Sequence, residues 1–239
     1  MTKPEDKIIV ALDTPSLEAA ERLLKDLKGL ISYYKIGFEL FTAHGWRAVD
    51  LVRKYKGRIF LDLKLHDIPN TVAKTVAVVC EHEIEMVNMH ALGGRAMMVE
   101  ARKTVDQRVG TGKKRPLVIG VTILTSHAEE DLSRELGIVK PLREEVLSLA
   151  ALVHEAGLNG VVSSPQETEL LRQKFPDNFV IVTPGVRPEG SAKGDQKRTF
   201  TPRRALEAGA DYLVIGRPIT EASSPRHEAD AIVASIQSS

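Results

Sequence analysis

An apolar, strand-like stretch followed by a helix-like stretch recurs eight times along the 239 residues of the chain. The strand-like stretches lie at 8–13, 33–37, 59–64, 86–91, 116–122, 160–164, 179–183 and 212–216. One unit takes about 30 residues, which is the length that a (β/α)8 barrel needs. The recurrence therefore predicts an α/β protein, with residues 1–239 forming a single-domain (β/α)8 TIM barrel.

The connecting helices are predicted from apolar residues spaced three and four apart. They cover 16–28, 46–54, 70–83, 95–107, 142–156, 166–174, 202–208 and 229–237, with a short extra helix near 129–135. A doubly wound open sheet is the alternative fold. Its dinucleotide-binding form has a glycine fingerprint after the first strand, where this chain has Asp13-Thr14-Pro15. We therefore favour the barrel.

The overall charge and the cysteine content narrow the functional classes. The chain has 33 Lys and Arg residues and 32 Asp and Glu residues, which gives a net charge of +1. Its overall charge therefore does not favour binding to nucleic acid or to an anionic membrane. A single cysteine, Cys80, excludes an internal disulfide framework and fits a reducing compartment. Residues 1–7 are polar rather than signal-like, and no apolar run approaches the roughly 18 residues of a membrane span. We expect a cytoplasmic protein.

The predicted carboxyl ends of the strands are rich in polar and charged residues. Active sites of (β/α)8 barrels are built at these ends. For any single residue a capping role is an equal alternative, as for Asp13, which competes with Ser16 to cap the first helix. As a set, the strand ends predict one converging site, made of Asp13, Lys35, Asp62, Lys64, His90, Thr122, Thr125, Pro184 and Arg217.

The end of the third strand has the densest group of charges. Successive strand residues face opposite ways, so Asp62 and Lys64 share one face, and Asp67 follows just beyond the strand. A structural ion pair is the alternative interpretation, and an exposed pair contributes only about 0–1 kcal/mol. Because clustered charges are how proteins shift pKa values, we favour a proton-transfer centre.

An anion site is predicted at the end of the eighth strand. Gly216 lets the backbone approach an anion, and Arg217 offers a planar fork of donors, although it is also suited to capping rim carbonyls. The loops after the last two strands of such barrels often hold a phosphate. The segment 184–198 is glycine-rich and too long for an ordinary connector, so we expect it to close over the phosphate through Arg187 and Gln196.

No metal-binding motif is present in the sequence. The seven histidines are scattered and lack a His-Glu-x-x-His arrangement. His66 and His90 are interpreted as structural supports near the charged cluster. The residues themselves therefore predict neither a metal centre nor a cofactor site.

The stretch Asp62-x-Lys64-x-His66-Asp67-Ile68-Pro69-Asn70-Thr71 resembles the Asp-x-Lys-x-x-Asp signature of the orotidine 5'-phosphate decarboxylase family, in its bacterial form. Supporting matches occur at 11–13, 34–37, 121–126, 183–188, 194–196 and 214–220. The resemblance covers essentially the whole chain. It implies a homodimer with two active sites at the interface that uses no metal and no cofactor.

The resemblance also implies a role for each site residue. Lys64 would protonate C6 of the pyrimidine after CO₂ leaves, Asp62 would face the substrate carboxylate, and Asp67 would reach in from the other subunit. The remaining residues would bind substrate: Thr71 from the other subunit, Asp13 and Lys35 at the ribose, Thr125 at the pyrimidine, Pro184 at the end of the seventh strand, and Arg187, Gln196, Gly216 and Arg217 at the phosphate.

Two alternatives remain open. The related 3-keto-L-gulonate 6-phosphate decarboxylases and hexulose phosphate synthases share the Asp-x-Lys-x-x-Asp core but use Mg²⁺. Thr71, Thr125 and Gln196 argue against this alternative. The other alternative is a catalytically silent barrel that only binds nucleotide phosphates, against which the intact Asp62, Lys64 and Asp67 argue.

Overall fold

The computed structural model describes residues 3–110, 115–188 and 200–237. Within these ranges eight parallel strands close into a barrel in sequence order. They are β1 (Ile8–Ala11), β2 (Tyr33–Gly37), β3 (Arg58–Leu65), β4 (Met86–His90), β5 (Leu117–Val121), β6 (Gly160–Val162), β7 (Val180–Pro184) and β8 (Tyr212–Ile215). The predicted α/β class and the single-domain (β/α)8 barrel are confirmed.

Helices surround the barrel. They are α1 (Leu17–Asp26), α2 (Phe38–His44), α3 (Trp46–Lys54), α4 (Pro69–Glu81), α5 (Gly94–Arg108), α6 (Glu129–Leu136), α7 (Leu142–Glu155), α8 (Thr168–Lys174), α9 (Pro202–Glu207), α10 (Arg217–Thr220) and α11 (Pro225–Gln237). In the described part of the chain, none of them combines the length and hydropathy that crossing a bilayer requires.

Apart from shifts of one or two residues at helix ends, the observed helices differ from the predicted ones in three places. The sequence pattern did not indicate α2, which buries only Leu40 and so shows no apolar period, or α10, which has only four residues. Helix α11 begins at Pro225 rather than at residue 229. Proline is well suited to the first turn of a helix, where its missing N–H is not needed, so the apolar period alone placed this start too late.

The core has two parts. One fills the barrel interior with side chains such as Ile9, Phe60, Met86 and Val214. The other lies between barrel and helices, where the apolar faces of the helices pack against the outside of the strands. Strands buried on both sides appear in the sequence as continuous apolar runs, which is why the eight units were recognisable.

The start of α1 settles how Asp13 is used. Ser16 caps this helix, because its Oγ accepts a hydrogen bond from the backbone N–H of Ala19 at 3.1 Å. The strand before it ends at Ala11, two residues earlier than predicted. Asp13 therefore lies in the loop that follows β1. Its carboxylate does not cap the helix but forms an ion pair with Lys35 of β2.

The last residues of β3 depart from regular strand geometry. β3 and β4 are in register up to Leu61, which lies opposite Val87, and pair again where Leu65 lies opposite Met89. Within this irregular segment Lys64 has φ +43°, in the left-handed region. A non-glycine residue there costs roughly 1–3 kcal/mol, and such strain persists where the surrounding structure holds it, commonly at functional sites.

Candidate active site

A cavity of about 880 Å³ lies at the carboxyl ends of the strands. This volume is typical of sites that bind small molecules. Nine of the residues predicted from the sequence line it: Asp13, Lys35, Asp62, Lys64, Thr125, Pro184, Arg187, Gly216 and Arg217. Seven of the nine strand-end residues therefore converge on a single cavity, whereas His90 and Thr122 do not line it.

Four charged side chains of alternating sign form an array on one wall of this cavity. Nζ of Lys35 lies 2.7 Å from Oδ1 of Asp13 and 3.3 Å from Oδ2 of Asp62. The other carboxylate oxygen of Asp62, Oδ1, accepts a hydrogen bond from Nζ of Lys64 at 2.8 Å. The two lysines thus hold opposite oxygens of one carboxylate, which fixes its orientation.

Burial and charge act in opposite directions on the centre of the array. Burial by itself would raise the pKa of the Asp62 carboxyl, but the charges of Lys35 and Lys64 and the hydrogen bonds it accepts outweigh this, so its pKa lies below the ordinary value. Burial would likewise lower the pKa of Lys35, and the charges of Asp62 and Asp13 raise it above the ordinary value instead. Asp62 and Lys35 are therefore both ionised at neutral pH.

Two residues that support this array from outside the cavity lining were not predicted as site residues from the sequence. Asn88, fully buried on β4, donates from Nδ2 to Oδ1 of Asp62 at 2.6 Å. Gly37 ends β2 at a point where an added Cβ would lie 2.8 Å from Nζ of Lys35 and 3.1 Å from Oδ1 of Asp13. The available signals were an amide within an apolar strand and a glycine two residues after a strand-end lysine.

Two arginines come together where β7 and β8 end at the cavity. Burial lowers the pKa of Arg187, and so does the nearby positive charge of Arg217, while the charge of Glu221 acts in the opposite sense. Arg187 follows β7 and Arg217 begins α10 directly after β8. Cationic groups from adjacent strand ends suit an anionic group of a ligand at this rim.

The backbone at Gly216 leaves room beside these arginines. A Cβ added at Gly216 would meet Ala11 and Asp13 only at ordinary contact distances of 3.6 and 3.9 Å. The packing of the protein therefore does not itself demand a glycine here. This observation is consistent with a close approach of ligand to backbone.

Of the segment 184–198, which is expected to close over the phosphate, the structure describes residues 184–188. Pro184 ends β7, and Val186 forms a bridge with Phe200, while the backbone N–H of Arg187 donates to the Phe200 carbonyl at 3.0 Å. The described residues on either side of 189–199 thus contact each other beside the cavity. Gln196 lies outside the described residues, as do the other positions from 189 to 199.

The structure does not bring Asp67 and Thr71 into the cavity of their own chain. Both are exposed and neither belongs to its lining. Oδ1 of Asp67 accepts a hydrogen bond from the next backbone N–H, that of Ile68, at 2.6 Å. Within one chain Asp67, the third charged residue of the motif, is therefore not part of the site that contains Asp62 and Lys64.

The two histidines near the array lie close to each other. The rings of His66 and His90 have centroids 5.5 Å apart. Burial lowers the pKa of His90, and the charges of His66 and Lys64 lower it further. Among the residues that the structure describes, no three His, Cys, Asp or Glu side chains gather as a metal ion would require.

Known proteins share both the sequence and the fold of this chain. The family model described as orotidine 5'-phosphate decarboxylase / HUMPS family matches residues 6–232. Orotidine 5'-phosphate decarboxylase of Moorella thermoacetica is 48% identical over 234 residues, which is 98% of this chain and 93% of the relative. Orotidine 5'-phosphate decarboxylase of Syntrophotalea carbinolica is 46% identical over 234 residues, which is 98% of this chain and 96% of the relative.

A solved structure agrees with these matches. The crystal structure of orotidine 5'-phosphate decarboxylase from Lactobacillus acidophilus superposes with a TM-score of 0.85 at 35% identity, covering 98% of this chain and all of that one, 100%. These similarities extend over nearly the full length of this chain and of the proteins that it matches. The chain therefore belongs to the orotidine 5'-phosphate decarboxylase / HUMPS family.

Proposed function

We propose that this protein decarboxylates orotidine 5'-phosphate to UMP and CO₂, the last step of de novo pyrimidine nucleotide biosynthesis, without a metal or cofactor. The observation that carries the proposal is the array Asp13–Lys35–Asp62–Lys64 on one wall of a cavity that is also lined by two arginines. A nucleotide monophosphate has polar ribose hydroxyls and a terminal anion, which match these two regions. The relatives named above support the same activity.

Lys64 is the proposed proton donor. In the reaction the bond between C6 of the pyrimidine and the carboxylate carbon breaks, and its electron pair remains on C6 while CO₂ departs. The Lys64 ammonium stabilises this developing negative charge and then transfers a proton to C6. The resulting Lys64 amine regains a proton from solvent, so the group is ready for another turnover.

Asp62 is proposed to act on the substrate carboxylate. Its ionised state is supported by its lowered pKa and by the two lysines that hold its oxygens. Two unit negative charges 4 Å apart repel by about 4 kcal/mol at an effective dielectric constant of 20. This repulsion disappears when the substrate carboxylate leaves as neutral CO₂, which favours the forward reaction.

The rest of the cavity is proposed to bind and orient the nucleotide. Asp13 and Lys35 would hold the ribose hydroxyls, and Thr125 would meet the pyrimidine edge. The phosphate would lie between Arg187 and Arg217, with Gly216 and Pro184 lining its approach and Gln196 contributing from the loop. Binding energy gained at the phosphate would drive closure of residues 184–198 and so contribute to catalysis at the distant C6.

We also propose that the active protein is a cytoplasmic homodimer with its sites at the interface. Large apolar side chains just after four consecutive strands are exposed in the single chain: Phe38 at 56%, Ile68 at 65%, Leu92 at 43% and Leu124 at 36%. They follow β2, β3, β4 and β5 and so share one rim of the barrel. An apolar rim of this kind is typical of an association surface, and it includes the segment that carries Asp67 and Thr71.

A metal-free assay tests the activity. Protein freed of metal with EDTA is expected to change the ultraviolet absorbance of orotidine 5'-phosphate and to release UMP and CO₂ in equal amounts. Activity that EDTA abolishes and Mg²⁺ restores would favour a metal-dependent member of the family instead. Binding of UMP without any turnover of orotidine 5'-phosphate would indicate a silent nucleotide-binding barrel.

A further inference from the structure

The irregular end of β3 lies opposite one buried amide. Between the pairs Leu61–Val87 and Leu65–Met89, three residues of β3 stand opposite a single residue of β4, which is Asn88. Asn88 is 0% exposed and lies on β4 between the buried residues Val87 and Met89. A bulge of this kind beside an active site re-aims the side chains that it carries.

Both ends of the Asn88 amide bond to the bulged segment. Oδ1 accepts a hydrogen bond from the backbone N–H of Lys64 at 2.8 Å, and Nδ2 donates to Oδ1 of Asp62 at 2.6 Å. A regular ladder would direct the Lys64 N–H to a β4 carbonyl, but the bulge removes that pairing. The Asn88 side chain thus takes the place of the missing backbone acceptor.

The two hydrogen bonds fix the proton donor relative to the carboxylate. The bond to the Lys64 N–H holds a backbone with φ +43°, and the bond to Asp62 holds the oxygen that Nζ of Lys64 contacts at 2.8 Å. One planar, fully buried group therefore sets both partners of the pair. An aliphatic side chain of the same size would fill the space but would supply neither bond.

We infer that Asn88 is a positioning residue for the decarboxylation, because its amide holds the Lys64 backbone and the Asp62 carboxylate in the arrangement from which Lys64 protonates the substrate. Asn88 itself is not expected to contact the substrate, since it does not line the cavity. Its removal should therefore affect the chemical step more than binding. The arginine pair, which would hold the phosphate, follows β7 and β8 and not the β3–β4 pair.

Asn88→Leu tests the role while keeping the branching and the number of heavy atoms of the side chain. We expect kcat to fall by about 100-fold, the effect of displacing a catalytic group by roughly 1 Å, with KM changed by less than about threefold. The matched control is Asn159→Leu. Oδ1 of Asn159 accepts a hydrogen bond from the backbone N–H of Val118 at 2.9 Å, at the opposite end of the barrel. This control should lose stability but keep kcat.

Asn88→Asp gives a readout that loss of packing would not produce. A carboxylate at position 88 cannot donate to Asp62, whereas a protonated carboxyl supplies both a donor and an acceptor, as the amide does. The charged groups around this position are Asp62 and Lys64 on β3, Lys35 on β2 and His90 on β4. We expect kcat of Asn88→Asp, relative to the unchanged protein, to rise as pH falls from 8.5 to 6, an assay range of about 2.5 units chosen to span a raised carboxyl pKa. Asn88→Leu should show no such recovery.

Because this role presupposes the proposed decarboxylation, turnover by the unchanged protein is measured first, and its absence would overturn the proposed function alone. A crystal structure of Asn88→Leu then tests the positioning without any assay. A Lys64 that leaves the left-handed region and moves away from Asp62 would support the inference. An unmoved Lys64, or a folded Asn88→Leu variant with normal kcat, would overturn it.

Discussion

Asp62 and Lys64 meet at 2.8 Å between Oδ1 and Nζ, although the backbone of Lys64 is in the left-handed region at φ +43°. The other oxygen of Asp62 faces Lys35 at 3.3 Å. An ordinary surface ion pair has no such support, and its two side chains lose entropy when they meet. Here the pair is held by a bulge, a buried amide and a second lysine, which suits a reaction that needs the charges in place before the substrate arrives.

Replacing Lys64 by alanine should remove most turnover while the barrel stays folded. A general acid contributes about 10²–10⁴-fold, so we expect kcat to fall by at least about 100-fold. Steady-state assays and circular dichroism measure the two properties. Lys54→Ala is the matched control, because Lys54 also forms an ion pair, with Glu21 at 2.8 Å, but on the outer surface. Near-normal activity of Lys64→Ala would contradict its role as proton donor.

Replacing Arg217 by alanine should weaken binding of the substrate's phosphate group. A hydrogen bond to a charged group contributes about 1.5–3 kcal/mol, so kcat/KM for orotidine 5'-phosphate should fall by about 10- to 100-fold. The same variant should lose little activity on orotidine, which lacks the phosphate. Arg226→Ala, which removes an exposed arginine paired with Asp230 at 3.2 Å, serves as the control. Equal losses on both substrates would place the phosphate elsewhere.

Mixing two inactive variants tests the shared active site. If Asp67 acts in the other subunit, Lys64→Ala and Asp67→Ala chains should regain activity when they exchange, because each mixed dimer contains one intact site. Equal mixing gives mixed dimers as about half of the total, so about a quarter of the original sites should be intact. Subunit exchange is verified by mass spectrometry. Exchange without recovery would show that Asp67 serves its own chain.

Adding one methyl group at Gly37 should disturb the Lys35–Asp13 pair. The new Cβ would lie 2.8 Å from Nζ of Lys35, which the two carboxylates hold in place. We expect Gly37→Ala to raise KM and to lower the free energy of unfolding by about 1–3 kcal/mol. Urea unfolding and steady-state kinetics measure both quantities. Gly110→Ala is the control, since an added Cβ there meets no atom within 4 Å; equal effects of the two substitutions would contradict the prediction.

The lowered pKa of Asp62 predicts how stability depends on pH. A carboxyl whose folded pKa lies below its ordinary value of 3.8 stabilises the fold above that value, and the contribution is lost as pH falls through the folded pKa. The difference in Tm between the unchanged protein and Asp62→Asn should therefore be largest near neutral pH and shrink in acid. Asp50→Asn, on the exposed surface of α3, should show a smaller change. A difference for Asp62→Asn that grows in acid would contradict the assignment.

The location of the candidate site followed from local patterns because parallel strands of a barrel all end at the same rim. Asp13, Lys35, Asp62 and Lys64 had only to be recognised at strand ends for their proximity to follow. The resemblance then assigned their roles, together with those of residues such as Asp67 that the single chain does not bring into the cavity. Short helices and the start of α11 were less predictable, because apolar periodicity does not detect them.

The sequence by itself determined the repeating strand–helix unit, the closed barrel and the rim that carries the charges. Only the tertiary structure decided which atoms meet. Lys35 and Lys64 each contact a different oxygen of Asp62, and Asn88 lies opposite the bulge of β3. Gly37 lies next to the Lys35–Asp13 pair. The physical reason is that periodicity is a property of one segment. The register between β3 and β4, in contrast, is set by the packing of the whole barrel, and it decides where a buried amide finds its partners.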